Sequence, residues 1–183
     1  MGDYFQTLAD IDASLEEAEF VAARIRNWLI ELKIIEPEPR NCVLGINGVG
    51  YPPLNYEQVI DEPPGSYYDI RQLAANGLEI EIGRKVFHNG QSGVTITCPK
   101  CGARCGDKWA EAISEWYENK GAGLLKCLQC ETEHPVTDWN FNPAWGFGNL
   151  GFTFWNWPPL KQSFIDELKR RIAHRTVFVA DKL

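Results

Sequence analysis

The chain has 183 residues, and its fractions of hydrophobic (44%) and charged (23%) residues are those of an ordinary globular protein. This length predicts a single domain over residues 1–183. The net charge of −7 argues against general nucleic-acid binding, because such binding depends on Lys and Arg side chains that neutralise phosphates. The many aromatic residues, including seven Trp, predict an aromatic-rich core or binding surface.

The N-terminal residues lack the basic start and apolar run of a secretory signal. No stretch of the sequence approaches the ~20 apolar residues that a membrane span needs. We therefore expect a cytoplasmic protein that does not bind membranes. In that reducing compartment, six cysteines indicate metal binding or catalysis before disulfides.

A helix is predicted for the first segment, where apolar residues recur at alternating spacings of four and three. These residues are Ile11, Leu15, Ala18, Ala22, Ile25, Leu29 and Leu32. Ser14 and Glu17 fit a capping box, and the helix must end before Pro37. We interpret the apolar stripe as packing on the protein's own core, with a homodimeric coiled-coil seam as the alternative.

A strand is predicted over residues 78–82, where Leu and Ile alternate with Glu after an irregular Pro- and Gly-rich segment over 36–66. Residues 85–87 and 94–97 can pair as a hairpin. This hairpin would run directly into the first cysteine motif. A short helix follows, and Asp107 is placed to cap it.

The segment over 136–157 is β-like and dense in aromatic residues. Its rings are Trp139, Phe141, Trp145, Phe147, Phe152, Phe154, Trp155 and Trp157. Side chains alternate along a strand, so Phe152 and Phe154 should point to one face, and Trp155 and Trp157 to the other. We expect core packing for most of these rings, with one or two Trp exposed.

Two C-x-x-C pairs carry the clearest chemical signal in the sequence. They are formed by Cys98, Cys101, Cys127 and Cys130. Two intervening residues let both sulfurs of a pair point at one ion, and two facing pairs supply a tetrahedron of thiolates, which Zn²⁺ accepts readily. Gly102 follows the first pair, where positive φ is often needed. Glu131 follows the second pair, where a glycine would fit more easily.

A predicted strand leads into each pair, and the gap of 25 residues between the pairs has room for the short helix. Over residues 94–137 this pattern resembles a four-cysteine zinc ribbon with a helical insertion. The resemblance implies a structural Zn²⁺ ion and a zinc-ribbon-like subdomain. We expect it to be inserted in an α+β fold, in which N- and C-terminal helices pack on a mainly antiparallel sheet. The C-terminal helix follows Pro159, and residues 175–179 form a closing strand.

Three other kinds of site share parts of this pattern. Cys-Pro-x-Cys resembles the glutaredoxin active site, although that motif opens a helix near the N-terminus of its fold. A rubredoxin-like site would place Fe in the same thiolates and make an electron carrier. Zinc deaminases combine Pro-Cys-x-x-Cys with an upstream His-x-Glu, whereas His88 is followed here by Asn and Gly.

Cys105 and His134 lie near enough in sequence to act as substitute ligands. We interpret Cys105 as a small buried residue and His134 as a surface group or a neighbour of the ligands. Cys42, beside Val43, is expected to be a buried apolar cysteine. The sequence contains no recognisable nucleophile arrangement.

These observations favour a non-enzymatic zinc-binding module that interacts with a protein partner, as an adaptor, a regulatory protein or an inhibitor. A shell of four cysteines leaves no open metal position for catalysis. The alternative is a nucleic-acid-binding zinc ribbon that uses the basic C-terminal helix. That helix region carries Lys161, Lys169, Arg170, Arg171 and Arg175. An iron-containing electron carrier is a third possibility.

Overall fold

The computed structural model describes residues 2–45, 47–61, 69–90 and 93–183. Its strands are β1 (Tyr4–Asp10), β2 (Arg40–Asn41), β3 (Val49–Gly50), β4 (Gly77–Phe87), β5 (Thr95–Thr97), β6 (Leu124–Lys126), β7 (Glu133–Pro135), β8 (Asn140–Asn142), β9 (Gly146–Trp155) and β10 (Thr176–Lys182). Its α-helices are α1 (Leu15–Glu31), α2 (Trp109–Tyr117) and α3 (Gln162–Ile172). The predicted α+β class is confirmed. Part of the Pro- and Gly-rich segment lies outside the described residues.

Four long strands form the central sheet, in the order β10-β1-β9-β4. Every neighbouring pair in this sheet is antiparallel. The chain therefore makes two interleaved units, β1-α1-β4 and β9-α3-β10, and each unit has a strand of the other between its own two strands. This order is that of the ferredoxin-like βαββαβ arrangement. It identifies the architecture only, because this arrangement hosts many unrelated functions.

The predicted N- and C-terminal helices both pack on one face of this sheet. The main core joins α1 through Ala18, Ile25 and Leu29 to α3 through Leu168 and Ile172. Aliphatic and aromatic side chains of the sheet complete it, namely Leu8, Leu78, Leu150, Phe152 and Phe154. The opposite face is covered by a smaller cluster that includes Cys42 and Val43. Both faces of the central strands are thus buried.

The expectation that the chain starts with a helix is wrong, because β1 precedes α1. Phe5 and Ala9 of this strand lie in the smaller cluster, whereas Leu8 lies in the main core. A strand that is buried on both faces has no apolar/polar alternation to reveal it. The predicted apolar stripe of α1 is buried only from Ala18 to Leu29, whereas Leu15 and Leu32 at its two ends are exposed.

The predicted hairpin between residues 85–87 and 94–97 is also wrong. The first of these segments is the end of β4, which pairs with β9 as far as Phe87 opposite Gly146. The second segment is β5, and it pairs with β8. Local spacing could not reveal this, because both partners lie about 45 to 60 residues further along the chain. Asp107 does not cap α2 either, since Lys108 is the N-cap residue and makes no side-chain bond.

The chain between β4 and β9 forms an insertion with an apolar cluster of its own. This cluster contains Ile96, Ala112, Trp116, Leu125, Val136 and Trp139, and it reaches Phe147 of β9. The insertion holds β5, α2, β6, β7 and β8. It is therefore attached to the sheet at the end of the longest strand pair. The boundaries 94–137 for a separate subdomain stay a prediction.

The expectation of exposed Trp side chains in the aromatic segment is wrong. Six of its eight rings are buried, and Phe141 and Trp145 are half-buried. Trp155 faces the smaller cluster as predicted, but Trp157 packs beside Phe154 in the main core. Asn156 between them has a left-handed backbone with φ of 57°, which ends the alternation of the strand.

The start of α1 provides a test of the fold. The Glu17 N–H donates to Ser14 Oγ at 3.2 Å, and Glu17 Oε2 accepts from the Ser14 N–H at 2.9 Å. We expect Ser14→Ala to lower the free energy of unfolding by about 1 kcal/mol in urea denaturation, because it removes this capping box. Ser114→Ala is the control, because that hydroxyl bonds only to the Ala110 carbonyl within α2 and its loss should be nearly neutral. Equal effects of the two substitutions would contradict the prediction.

Candidate metal centre

Two β-hairpins present the four cysteines to each other. In the first, β5 runs into Cys98, and an antiparallel bridge joins Thr97 to Arg104 beyond the turn. In the second, β6 runs into Cys127, and β7 returns after Cys130. Each C-x-x-C pair therefore occupies the turn of a hairpin, as the predicted strands implied.

The two turns have the same backbone hydrogen bonds. The Cys98 N–H donates to the Ala103 carbonyl at 2.8 Å, and the Cys127 N–H donates to the Thr132 carbonyl at 2.9 Å. The amides that follow each pair close the turn, because the N–H groups of Gly102 and Glu131 donate to the carbonyls of Cys98 and Cys127, each at 3.0 Å. The backbone holds both pairs in one conformation independently of the sulfurs.

The residue after each pair has a left-handed backbone. Gly102 has φ of 73°, and Glu131 has φ of 56°. A glycine adopts this conformation freely, whereas a residue with a Cβ atom is strained by roughly 1–2 kcal/mol. The expectation that a glycine would be easier at Glu131 is therefore confirmed. The second turn keeps its geometry in spite of this strain.

The sulfur atoms of the four cysteines lie within 4.8 Å of one another. The Sγ atoms of Cys98 and Cys130 are 3.8 Å apart, and those of Cys101 and Cys127 are 3.6 Å apart. A tetrahedron with metal–sulfur bonds of ~2.3 Å has edges of about 3.8 Å. The four side chains therefore fit a tetrahedral metal ion. In the described ranges this is the only group of His, Cys, Asp or Glu side chains with such convergence.

Ionisation is unevenly distributed over the four sulfurs. The Thr132 hydroxyl and the Thr132 backbone N–H hold the pKa of Cys130 down to about 6. The Ala103 N–H also favours the Cys101 thiolate, but burial and the three neighbouring cysteines outweigh it and raise the pKa of Cys101 to about 12. Without a cation, thiolates this close repel one another and cannot all be ionised. A divalent cation removes that repulsion, which makes the site selective for a positively charged occupant.

Thr132 is a functional residue that the sequence analysis missed. Its Oγ1 lies 3.0 Å from Cys130 Sγ and 3.2 Å from His134 Nε2. With its hydroxyl hydrogen directed at the sulfur, Thr132 can accept a hydrogen bond from His134. Such a chain orients a ligand and favours its thiolate form. The sequence carries no specific signal for it, because Thr is common after a turn.

The other candidate ligands lie outside the sulfur cluster. Cys105 packs half-buried against the apolar cluster of the insertion, and this burial raises the pKa of its thiol. His134 reaches the cluster only through Thr132. Cys42 precedes the cluster by a long stretch of sequence and is buried. Its thiol donates to the Gly50 carbonyl at 3.4 Å. The positions of His134 and Cys42 agree with the interpretations made from the sequence, whereas Cys105 is half-buried and not fully buried as expected.

The three histidines do not form a catalytic group with one another. His88 packs against the Trp145 ring, with 5.1 Å between centroids. His174 lies 2.8 Å from the fully buried carboxylate of Asp10, which also accepts the N–H groups of Asp12 and Ala13. That carboxylate ties the start of α1 to the start of β10, so its bonds account for a structural role.

Comparison with protein-family models, with curated proteins and with solved structures found no match for this chain. No helix in the described part of the chain has the length and apolar character needed to cross a membrane. The site is therefore interpreted from its own geometry.

The strained turn at Glu131 leads to a stability prediction. We expect Glu131→Gly to raise the free energy of unfolding by roughly 0.5–1 kcal/mol, because relief of the left-handed strain exceeds the entropic cost of a glycine. Thermal unfolding of the metal-loaded protein measures this change. Glu133→Gly is the matched control in the extended strand β7, and there a glycine should destabilise. A loss of stability in both variants would disprove the account.

The depressed pKa of Cys130 leads to a pH prediction. A metal ligand must be a thiolate, so protons compete with the metal for Cys130 once pH falls below that pKa of about 6. Thr132→Val removes the hydroxyl donor and moves the pKa back up, so metal should be released at higher pH, by up to about one pH unit. Release into a chromophoric chelator across a pH series measures the midpoint. Thr137→Val, whose hydroxyl contacts only Asp138, should leave the midpoint in place, and equal midpoints for all three proteins would contradict the prediction.

Proposed function

We propose that the protein is a non-enzymatic protein-interaction module whose four cysteines hold a structural Zn²⁺ ion. The observation that carries the proposal is the closed set of four sulfurs at tetrahedral spacing. Catalytic zinc keeps a position open for water or substrate, whereas four protein thiolates are typical of structural sites. The same thiolates also accept iron, and the optical spectrum of the purified protein distinguishes the two metals.

The position of the four cysteines in the insertion supports a structural role for the ion. Cys98 and Cys127 are buried within the apolar cluster of the insertion, beside Trp116 and Val136. Strands β5 to β8 have only three residues each, and each pairs with just one partner. Two-stranded ribbons of this length are marginal in water by themselves. A metal ion that links the two hairpins supplies cohesion that this small cluster lacks.

The acidic charge and the exposed apolar side chains support a protein partner. The large exposed apolar residues include Phe20 of α1, Tyr117 of α2 and Leu128 between the cysteines of the second pair. Aromatic and aliphatic side chains of this kind supply most of the binding energy at protein interfaces. The proposal therefore assigns the metal to stability and the surface to recognition.

The basic C-terminal helix gives little support to nucleic-acid binding. Arg170 and Arg171 both pair with Glu167 of the same helix, and Arg175 pairs with Asp12. The guanidinium of Arg171 also lies over the Trp28 ring, 4.4 Å from its centroid. Cations that are already paired gain less from a phosphate backbone. The aromatic rings that could stack on bases are mostly buried.

The metal half of the proposal is tested on the purified full chain. We expect about one zinc per chain by elemental analysis and no visible absorbance. Removal of the ion should increase amide hydrogen exchange over the insertion much more than over the central sheet. Cys101→Ser with Cys130→Ser should reproduce that change, whereas Cys42→Ser should keep the metal. Unchanged exchange after metal removal, or iron in the site, would overturn this half.

The interaction half is tested by affinity capture from the native lysate, with and without nuclease. A stoichiometric protein partner that survives nuclease treatment and is eluted by excess untagged protein is the expected result. Loss of every partner on nuclease treatment would support the nucleic-acid alternative instead. An absence of partners in both arms would contradict an interaction module.

A further inference from the structure

Strand β4 forms one edge of the central sheet, and only β9 pairs with it along its length. On the outer side, Leu78 exchanges two backbone hydrogen bonds with Tyr51, each of 2.8 Å. No further backbone bond joins β4 to a neighbour on that side within the described ranges. In the part of the chain that the structure describes, the outer edge of β4 is thus open beyond Leu78.

The open edge has a definite set of backbone groups. In an antiparallel ladder, alternate residues direct N–H and C=O to the same side. Since Leu78 faces outward to Tyr51, Ile80 and Ile82 face outward as well. The bulge between Ile82 and Lys85 then ends this regular stretch. Unpaired groups of this kind are a template for another extended chain.

A groove of about 620 Å³ follows this edge. Every residue from Glu79 to Lys85 lines it. Side chains alternate between the two faces of a strand, so a groove that contacts all of them must run along the edge itself. Ala22 and Ala23 of α1 form part of its wall, and such small side chains leave room for a backbone.

Three large apolar side chains around the groove are exposed. Ile82 is 47% exposed, Val49 is 45% exposed and Tyr117 is 52% exposed. They come from β4, β3 and α2, which are separate parts of the chain. Single exposed apolar residues are normal, but convergence on one concave surface is typical of a binding site.

The charges of the helical wall distinguish the two ends of the groove. Glu19 and Arg26 of α1 both line it, and neither forms an ion pair with another described residue. Seven residues of helix separate them by about 10 Å. Among the described residues, Arg26 donates only to the neutral Asn27 Oδ1. The other charged groups are already engaged, because Lys85 pairs with Glu81, Glu79 accepts from the Trp155 indole N–H and the Arg84 guanidinium lies over the Trp116 ring.

We propose that this groove binds an extended segment of the partner protein, which adds a strand to the sheet along Ile80 and Ile82. The segment is apolar at its centre and carries a basic and an acidic residue about four positions apart, which pair with Glu19 and Arg26. This mode is β-strand addition, in which backbone bonds supply affinity and side chains supply specificity. The inference rests on the proposed interaction function and identifies the surface responsible for it.

The test uses two fluorescent peptides on the full metal-loaded chain. Their sequences are Thr-Lys-Val-Val-Val-Asp-Thr and the charge-exchanged Thr-Asp-Val-Val-Val-Lys-Thr, with both ends blocked. Anisotropy should show saturable binding with a preference for one of them. The double substitution of Glu19→Arg with Arg26→Glu keeps the net charge and should invert that preference. Exchange of the cross-strand pair by Lys126→Glu with Glu133→Lys lies outside the groove and should leave it unchanged.

N-methylation of the preferred peptide tests the backbone contact. In one pattern, methyl groups on the backbone nitrogens of alternate residues face β4 and block the bonds to it. In the other pattern, the methyl groups are on the intervening nitrogens and point away from β4. Loss of two such bonds should weaken binding about tenfold or more, whereas the peptide whose methyl groups point away should keep its affinity. Equal effects of the two methylation patterns would contradict the proposal that the groove binds an extended segment. No binding of either peptide at millimolar concentration would also contradict it.

Two further outcomes separate this inference from the proposed function. A captured partner that the preferred peptide displaces supports the groove. A captured partner that still binds the charge-exchanged α1 variant and is not displaced by the peptide would contradict the role of the groove. It would still support the interaction function. Self-association that is abolished by Ile82→Asp in sedimentation experiments would assign the edge to a second copy of this chain, and so would also contradict the proposed role of the groove.

Discussion

The pairing of β4 with β9 holds the central sheet together and anchors both ends of the insertion. It joins Gly77 to Trp155 at one end and Phe87 to Gly146 at the other. Through β9 it connects the edge of the sheet to β1, and through β1 to β10. The same ladder brings the two ends of the insertion together. Loop-closure entropy rises only slowly with length, so a long insertion between paired strands is tolerated at modest cost.

The backbone of the two turns sets the geometry of the cysteine cluster. Matching hydrogen bonds shape both turns, and a left-handed residue closes each of them. The sulfurs are then held at distances where thiolates repel one another. Burial and the neighbouring cysteines raise the pKa of Cys101 to about 12 in spite of the Ala103 N–H, whereas Thr132 lowers the pKa of Cys130 to about 6. An arrangement that is unfavourable without a cation is favourable with one. Thr132 adjusts this balance through a single hydroxyl group.

The insertion and the open edge are physically connected. Arg84 of β4 lies 3.9 Å from the centroid of the Trp116 ring and donates through Nε to the Trp116 carbonyl. Trp116 belongs to the same apolar cluster as Cys98 and Cys127, and the next residue, Tyr117, lines the groove. Cohesion of the insertion therefore determines where one wall of the groove stands. This contact links the cluster of four cysteines to the groove along β4.

Features that depend on local chemistry could be predicted from the sequence alone. They follow from short-range spacing and from the limits of the backbone, and they include the four cysteines, the positive φ after each pair, the capping box of α1 and the helical segments. Such patterns act within a few residues, so no knowledge of distant partners is needed. The buried Cys42 was found for the same reason, because its apolar neighbours reveal it.

Which segments pair, and which side chains remain exposed, could be seen only in the three-dimensional structure. The partners of β4 and β5 lie far along the chain, and β1 is buried on both faces without a periodic signal. Thr132 contacts Cys130 because the turn places it there, and Ile82 is exposed on an edge strand that has no partner on its outer side there in the described residues. These properties come from contacts between distant segments. Such contacts form only where they outweigh the entropy that the chain loses on folding, and neither composition nor local spacing encodes them.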